Sequence, residues 1–116
     1  SWTYSLNGKN LNKISKSDNL AVLALEDTGG RKSIAVLDNN GKERCMIENA
    51  PNLSYVSSDA DRVAYNNGNN ITVCDSAGKE LYSIQTAKSF TELLLFDGGR
   101  RAAALGASSL DILEIK

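Results

Sequence analysis

The sequence predicts an all-β chain made of repeated four-stranded antiparallel units, and three observations carry that prediction. Runs of four to seven residues rich in strand formers are separated by turn clusters at Asn7-Gly8, Thr28-Gly29-Gly30, Asn39-Asn40-Gly41, Asn67-Gly68-Asn69-Asn70, Ala77-Gly78 and Gly98-Gly99. No stretch keeps apolar residues at i, i+3, i+4 and i+7 over a dozen positions, which a core-facing helix requires. The turn Asp38-Asn39-Asn40-Gly41-Lys42-Glu43 recurs 37 residues later as Asp75-Ser76-Ala77-Gly78-Lys79-Glu80. A fixed period of this size marks a repeat architecture.

The strands of each unit are labelled A to D. The chain opens with Trp2-Thr3-Tyr4-Ser5-Leu6, whose pattern matches Leu81-Tyr82-Ser83-Ile84, so residues 1–8 read as a D strand standing alone. The first full unit, residues 9–50, places A at Leu11–Lys16, B at Leu20–Glu26, C at Ser33–Leu37 and D at Arg44–Glu48. The second, residues 51–87, places them at Leu53–Ser57, Arg62–Tyr65, Ile71–Asp75 and Glu80–Gln85. The third, residues 88–116, holds A at Thr91–Phe96, B at Arg101–Leu105 and C at Leu110–Ile115, and has no D strand. Asp18, Asp59 and Asp97 close the A strands at spacings of 41 and 38. Residues 88–96 also offer a short helical face through Phe90, Leu93, Leu94 and Leu95, but Asp97-Gly98-Gly99 cuts it off, so a strand is expected.

The order is therefore D-ABCD-ABCD-ABC, with three units in a single segment. A four-stranded unit of about 40 residues is the blade of a β-propeller. Burial patterning agrees. Leu20-Ala21-Val22-Leu23-Ala24-Leu25 and Ala102-Ala103-Ala104-Leu105 are apolar at odd and even positions alike, as strands covered on both faces must be. The D strands Arg44–Glu48 and Glu80–Gln85 are more mixed, as suits an outer rim.

Composition excludes several kinds of function. The chain has 116 residues, 41% of them hydrophobic, and a formal net charge of −1. That is one domain's worth of core with no charge excess to attract nucleic acid or an acidic membrane. It contains no histidine, which removes the commonest general base and metal ligand. Cys45 and Cys74 have no metal-binding spacing; a single disulfide or two inert strand thiols are the alternatives, and thiols are favoured. No apolar run reaches the roughly 20 residues of a membrane-spanning helix. The opening at Ser1 shows neither an initiator Met nor a signal peptide, so any anchor is expected upstream.

Candidate sites are few. Asp38-Asn39-Asn40 begins like a calcium loop, but its Gly comes two positions early and the second copy puts Ala77 where a ligand would be. A hairpin turn held by Asp explains both copies. Asp18, Asp59, Asp61 and Asp97 are favoured turn residues before they are a cation-binding ring, with Asp61 expected to pair with Arg62 or Arg100. Arg100, Arg101, Lys9, Lys13 and Lys16 read as solvated strand ends rather than an anion site. Ser108 and Ser109 have no base to activate them, and Gly98-Gly99-Arg100-Arg101 lacks the spacing of a phosphate loop.

The A strands ending Ser57-Ser58-Asp59 and Asp97-Gly98-Gly99, the following Arg-Val-Ala and Arg-Arg-Ala strands, and the Asp-x-x-Gly-Lys-Glu closure resemble propellers of the quinoprotein-like and TolB-like group. The nearest likeness is to the C-terminal blades of membrane-anchored propeller proteins of Firmicutes. The Gly-His and Trp-Asp pairs of WD repeats are absent, as are tryptophan-docking motifs, since Trp2 is the only tryptophan. The resemblance carries no catalytic residue. It implies an extracytoplasmic protein tethered by an upstream anchor.

The expectation is thus a non-catalytic module for protein or ligand interaction, with no catalytic residue, metal or cofactor and no contact with nucleic acid or membrane. The alternative is part of an enzyme or cofactor-binding propeller whose centre lies partly in other blades. Three blades are fewer than the about four to eight that close a ring. The open ends are expected to expose Leu23, Leu25, Leu94 and Ala103. Trp2, Tyr4 and Leu6 are expected to complete a blade on the edge of Leu110 and Ile112, in a ring of two copies or with a chain supplying the other blades.

Overall fold

The computed structural model describes residues 2–115. Its strands are β1 (Asn10–Lys16), β2 (Ala21–Glu26), β3 (Lys32–Leu37), β4 (Glu43–Ile47), β5 (Val56–Asp59), β6 (Arg62–Asn67), β7 (Asn70–Asp75), β8 (Glu80–Gln85), β9 (Glu92–Phe96), β10 (Arg101–Leu105) and β11 (Leu110–Glu114). They form three antiparallel sheets in the orders β1-β2-β3-β4, β5-β6-β7-β8 and β9-β10-β11. Each sheet is a meander, with every strand beside its sequence neighbour.

The turns follow from side-chain chemistry. In Asp27-Thr28-Gly29-Gly30, Asp38-Asn39-Asn40-Gly41 and Asp75-Ser76-Ala77-Gly78, Gly closes the turn at φ of 82°, 77° and 87°. Each Asp accepts two backbone N–H bonds from its own turn; Asp38 Oδ1 takes Asn40 N at 2.9 Å and Lys42 N at 3.0 Å. This uses the carboxylate locally and fixes the register of the outgoing strand.

The core lies between sheets. We call the side of a sheet facing the next one in chain order its forward side, and the other its rear. Register sorts the residues: Ala24 pairs with Ile34 and Val22 with Val36 on the forward side of the first sheet, whereas Leu23 pairs with Ala35 on its rear. The forward residues join Val56, Val63, Tyr65 and Cys74 of the second sheet in one cluster. Ala64, Ile71 and Val73 then meet Leu93, Leu95, Ala102 and Ala104 of the third. Burying each Val, Leu or Ile contributes about 1.5–3 kcal/mol, so these two joints supply most of the driving force.

Three expectations need correction. The third A strand forms as expected, as β9 at Glu92–Phe96, but the second A strand begins at Val56 rather than Leu53. Leu53 N closes a turn onto Ala50 O at 3.1 Å, and Asn66 Oδ1 captures Ser54 N at 2.8 Å and Tyr55 N at 2.7 Å. Those amides are thereby withdrawn from the ladder. Residues 2–6 form no strand ladder, because this chain places no C strand beside them. Finally, Leu23 and Leu25 are not exposed: Tyr4, Leu6 and Met46 pack on the rear of the first sheet and leave them 6% and 1% accessible.

Candidate functional site

The polar groups with chemical potential are mostly consumed by structure. Asp59 Oδ2 accepts Gly99 N at 3.0 Å, and Asp61 Oδ1 accepts Asn19 Nδ2 at 2.9 Å rather than pairing with Arg62 or Arg100. Arg101 Nε lies 3.6 Å from both Asp97 and Glu114 carboxylates. Lys13 Nζ sits 5.8 Å from the centre of the Tyr55 ring. Ser109 accepts Gly106 N at 2.8 Å through its carbonyl, tying off the turn before β11. Among the described residues, no three His, Cys, Asp or Glu side chains gather closely enough to hold a metal.

A cavity of about 220 Å³ opens beside the β2–β3 turn. Lys9, Arg31 and Lys32 line it together with Asp27 and Glu48, three cations against two carboxylates, and the lining contains no nucleophile paired with a base. Lys32 Nζ is already committed to Leu53 O at 3.0 Å. Both cysteines are free thiols. Cys74 is buried in the joint between the first two sheets, where loss of solvation pushes its pKa up to about 12, and burial also raises Cys45. Both thiols are therefore held protonated, the opposite of an activated cysteine.

The remaining candidate is the pair of open ends. The large apolar side chains that stay exposed are Trp2, Leu11, Ile14, Leu94, Leu105, Leu110 and Ile112. All seven belong to the two end surfaces. Leu11 pairs with Leu25 and Ile14 with Leu23, placing both on the rear of the first sheet. Leu94 and Ile112 flank Ala103, and Leu110 pairs with Leu105, placing them on the forward side of the third. There Leu94 is 55% and Ile112 47% accessible, and Ala103 is half-buried. β11 is also a free edge, because the order β11-β10-β9 ends on it.

The first residues lie across the other end. Trp2 Nε1 donates to Asn39 O at 2.9 Å, and its indole rests on Gly41 so closely that a Cβ there would overlap the ring. Tyr4 OH donates to Glu43 Oε1 at 2.7 Å. Burial and that bond push the Tyr4 pKa up to about 12. These contacts reproduce what the D strands do elsewhere. Cys45 and Ile47 of β4 face the cluster shared with the second sheet, and Tyr82 and Ile84 of β8 face the cluster shared with the third. Tyr4 and Leu6 face the first sheet in the same alternation. Cys45 rests against Gly78, whose added Cβ would lie 3.4 Å from its Sγ; at the corresponding Gly41 the contact comes from Trp2, two positions before the counterpart of Cys45. Tyr4 and Leu6 thus pack on the first sheet with the alternation of the D strands, and no strand among the described residues pairs with residues 2–6.

Two features of the joints were invisible in sequence. Ser15 Oγ accepts Ser58 N at 2.9 Å across the first joint, and Ser57 Oγ accepts Leu95 N at 2.9 Å across the second. A serine near the end of each of the first two A strands is the available signal, and it looks like ordinary strand polarity. Gly99 is the second: at φ 82° it packs against Arg62, whose Nη1 donates to Gly99 O at 3.0 Å, and an added Cβ would lie 2.7 Å from Arg62 Cδ.

No family model matches the chain, and no curated protein does. Among solved structures it is similar to BamB from Moraxella catarrhalis, at 22% identity and a TM-score of 0.64 over 88% of this chain. The chain spans 32% of the length of that protein. The likeness concerns the fold, and with the repeated meanders and their face-to-face joints it makes the three sheets blades of a β-propeller.

Proposed function

We propose that this chain is a non-catalytic propeller segment that acts by interaction and works inside a larger ring of blades. The placement of every exposed large apolar side chain on the two end surfaces supports this reading. The outer strand carrying Trp2, Tyr4 and Leu6 completes a blade on an A-B-C edge such as that of Leu110 and Ile112, by the backbone ladder of strand addition. A second copy or a chain bearing preceding blades can provide that edge. Protein or ligand contacts then fall to the loops around the ring. The absence of histidine, the use of Asp27, Asp38 and Asp75 within their own turns and the use of Asp59 and Asp61 in bonds between sheets favour interaction over catalysis. The resemblance to membrane-anchored propellers adds an extracytoplasmic setting with an upstream tether.

Sedimentation combined with binding of an apolar dye tests the reading. The intact chain is expected either to associate or to bind dye at its ends, and deletion of residues 1–6 is expected to alter that behaviour. A monomer that binds no dye and is unchanged by the deletion overturns it. Turnover of any substrate that a single Asp or Glu substitution abolishes, with folding intact, overturns the non-catalytic part.

A further inference from the structure

We propose that the cavity beside the β2–β3 turn binds a small zwitterion, a free α-amino acid carrying one carboxylate and one ammonium group. Three observations on the first blade converge there. The first is the turn itself: five residues, 27–31, separate β2 from β3, whereas two, 68–69, separate β6 from β7. The extra residues are held in one shape, because Asp27 Oδ1 accepts Gly29 N and Arg31 N at 2.9 Å each, and they form one wall of the cavity. Loop residues fixed on a rigid scaffold are where binding groups concentrate. The second observation is a hydroxyl. Ser33 belongs to the lining and is 6% accessible, and its Oγ is buried with no hydrogen-bond partner among the described residues. Buried polar side chains are nearly always bonded. In the second blade the same position is satisfied within its own sheet: Asn70 Nδ2 donates to Ser83 Oγ at 3.2 Å and to Thr72 Oγ1 at 3.4 Å. The residues 37 positions earlier are Ser33, Met46 and Ala35, so both internal partners have become apolar.

The third observation is which charges are already engaged. Lys32 Nζ donates to Leu53 O, and Asp27 serves its own turn. Arg31 Nε lies 3.7 Å from Asp27 Oδ2, but the arginine side chain is 90% accessible, and an ion pair in water holds it only weakly. Among the described residues, the side chains of Lys9 and Glu48 have no ion-pair partner. The groups left for a ligand are therefore two cations, one carboxylate and one hydroxyl. A simple anion would meet Lys9 and Arg31 but face Glu48, and a simple amine would meet Glu48 but face the two cations. A zwitterion satisfies both signs. Its carboxylate accepts charge-assisted bonds from Lys9 and Arg31 and the hydroxyl of Ser33, and its ammonium donates to Glu48. The cavity holds about 220 Å³, below the about 300–1,000 Å³ of sites for drug-sized molecules, which limits the ligand to a short side chain. These residues all belong to the first blade and the link before it, so the site needs no residue from another blade.

Three matched probes test the site at constant ionic strength: L-alanine, and its two halves propionate and ethylammonium. Binding is read from the amide resonances of Gly29, Gly30 and Arg31. L-alanine is expected to shift them saturably, and each half to need about tenfold more probe, as expected for the loss of one charge-assisted bond. Glu48→Gln should bring L-alanine down to the level of propionate without weakening propionate, and Lys9→Gln with Arg31→Gln should abolish both; these side chains reach solvent, so the variants are expected to fold. Ser33→Ala separates a binding role from a structural one. Removing an unpartnered buried hydroxyl should leave the melting temperature of the probe-free chain unchanged or raised while weakening L-alanine, whereas a structural hydroxyl would lower the melting temperature. No saturable shift with L-alanine overturns the proposal, as does equal binding of L-alanine and propionate or indifference to Glu48→Gln. These outcomes are independent of sedimentation and dye binding: L-alanine bound by a monomer that takes up no dye removes the ring reading and leaves the site standing, and the reverse pattern removes the site alone.

Discussion

Asn66→Ala should be the most damaging single polar-to-alanine change in the second blade. Asn66 is 2% accessible, and its Oδ1 accepts both Ser54 N at 2.8 Å and Tyr55 N at 2.7 Å while Nδ2 donates to Gly68 O at 2.8 Å. Alanine leaves two part-buried amides and one carbonyl without their partner. An unsatisfied buried group costs about 1–3 kcal/mol, and water reaching the exposed carbonyl removes part of the third penalty, so a total loss of about 2–5 kcal/mol is expected. That is a large share of the about 5–15 kcal/mol that holds a domain together. The neighbour Asn67 provides the control: its Oδ1 accepts Asn52 N at 2.9 Å on an exposed turn. Water can replace that bond, so Asn67→Ala should cost about 0.5–1 kcal/mol. Urea unfolding followed by circular dichroism measures both; with m of about 2 kcal/mol/M, Asn66→Ala should lower the midpoint by about 1–2.5 M. Equal midpoints for the two variants, or a loss below about 1 kcal/mol for Asn66→Ala, would refute the view that this side chain holds the connection between blades.

Three further outcomes are expected. The backbone amide of Arg31 holds Asp27, and that of Lys42 holds Asp38, below the ordinary carboxyl value of 3.8. Lowered groups stabilise fully above the unfolded value, so stability should be flat above that point and fall as pH drops below 3.8; Asp27→Asn with Asp38→Asn should flatten the fall in acid melts. Burial raises the Cys74 and Cys45 thiols above 9.0, Cys74 to about 12, so iodoacetamide at pH 8 should leave Cys74 unmodified in the native chain and label both cysteines in urea, as read by mass spectrometry. Tyr4 is raised from 10.0 to about 12, so the stabilisation it gives residues 2–6 is complete below pH 10 and lost as pH climbs through the higher value. The fluorescence of Trp2 should shift to the red over that range, and Tyr4→Phe should remove the pH dependence of the shift.

Much of this architecture can be read before folding. The second D strand and the third B strand occupy the residues expected of them, Glu80–Gln85 and Arg101–Leu105. Both are bounded by turn signals; the ladders of β10 are regular, and that of β8 shifts register once, opposite Val73 and Cys74. What escaped involves long-range capture. Leu53 reads as the start of a strand because nothing local reveals that Asn66, beyond the next turn, will take the amides of Ser54 and Tyr55. Leu23 and Leu25 read as an open face because the cover comes from Tyr4 and Leu6, residues recognisable as a D-type strand but not as a lid on the following blade. Asp27 was missed as a turn anchor although Asp27-Thr28-Gly29-Gly30 has the same Asp-to-Gly spacing as the two repeated turns, because it joins B to C instead of C to D. The end surfaces were only partly legible: alternation gives Leu94 and Ala103, but the matching exposure of Ile14 and Leu11 depends on a register shift between Leu11 and Lys13.

The meander connectivity has a kinetic corollary. Within a sheet, partners meet after short turns, and among the described residues the side-chain bonds that cross between sheets span separations such as 37, 38, 40, 42 and 43 residues. No such bond has to wait for a loop longer than about one unit to close. The entropy of loop closure grows only slowly with length, so the joints present barriers of nearly equal height however many units are strung together. Assembly can therefore advance as a zipper, each finished sheet offering its forward side as a template for the next, with nearest-neighbour couplings setting the pace. Inserting or removing a whole unit would leave every remaining separation unchanged, which allows the length of such a chain to drift over generations without relearning how to fold.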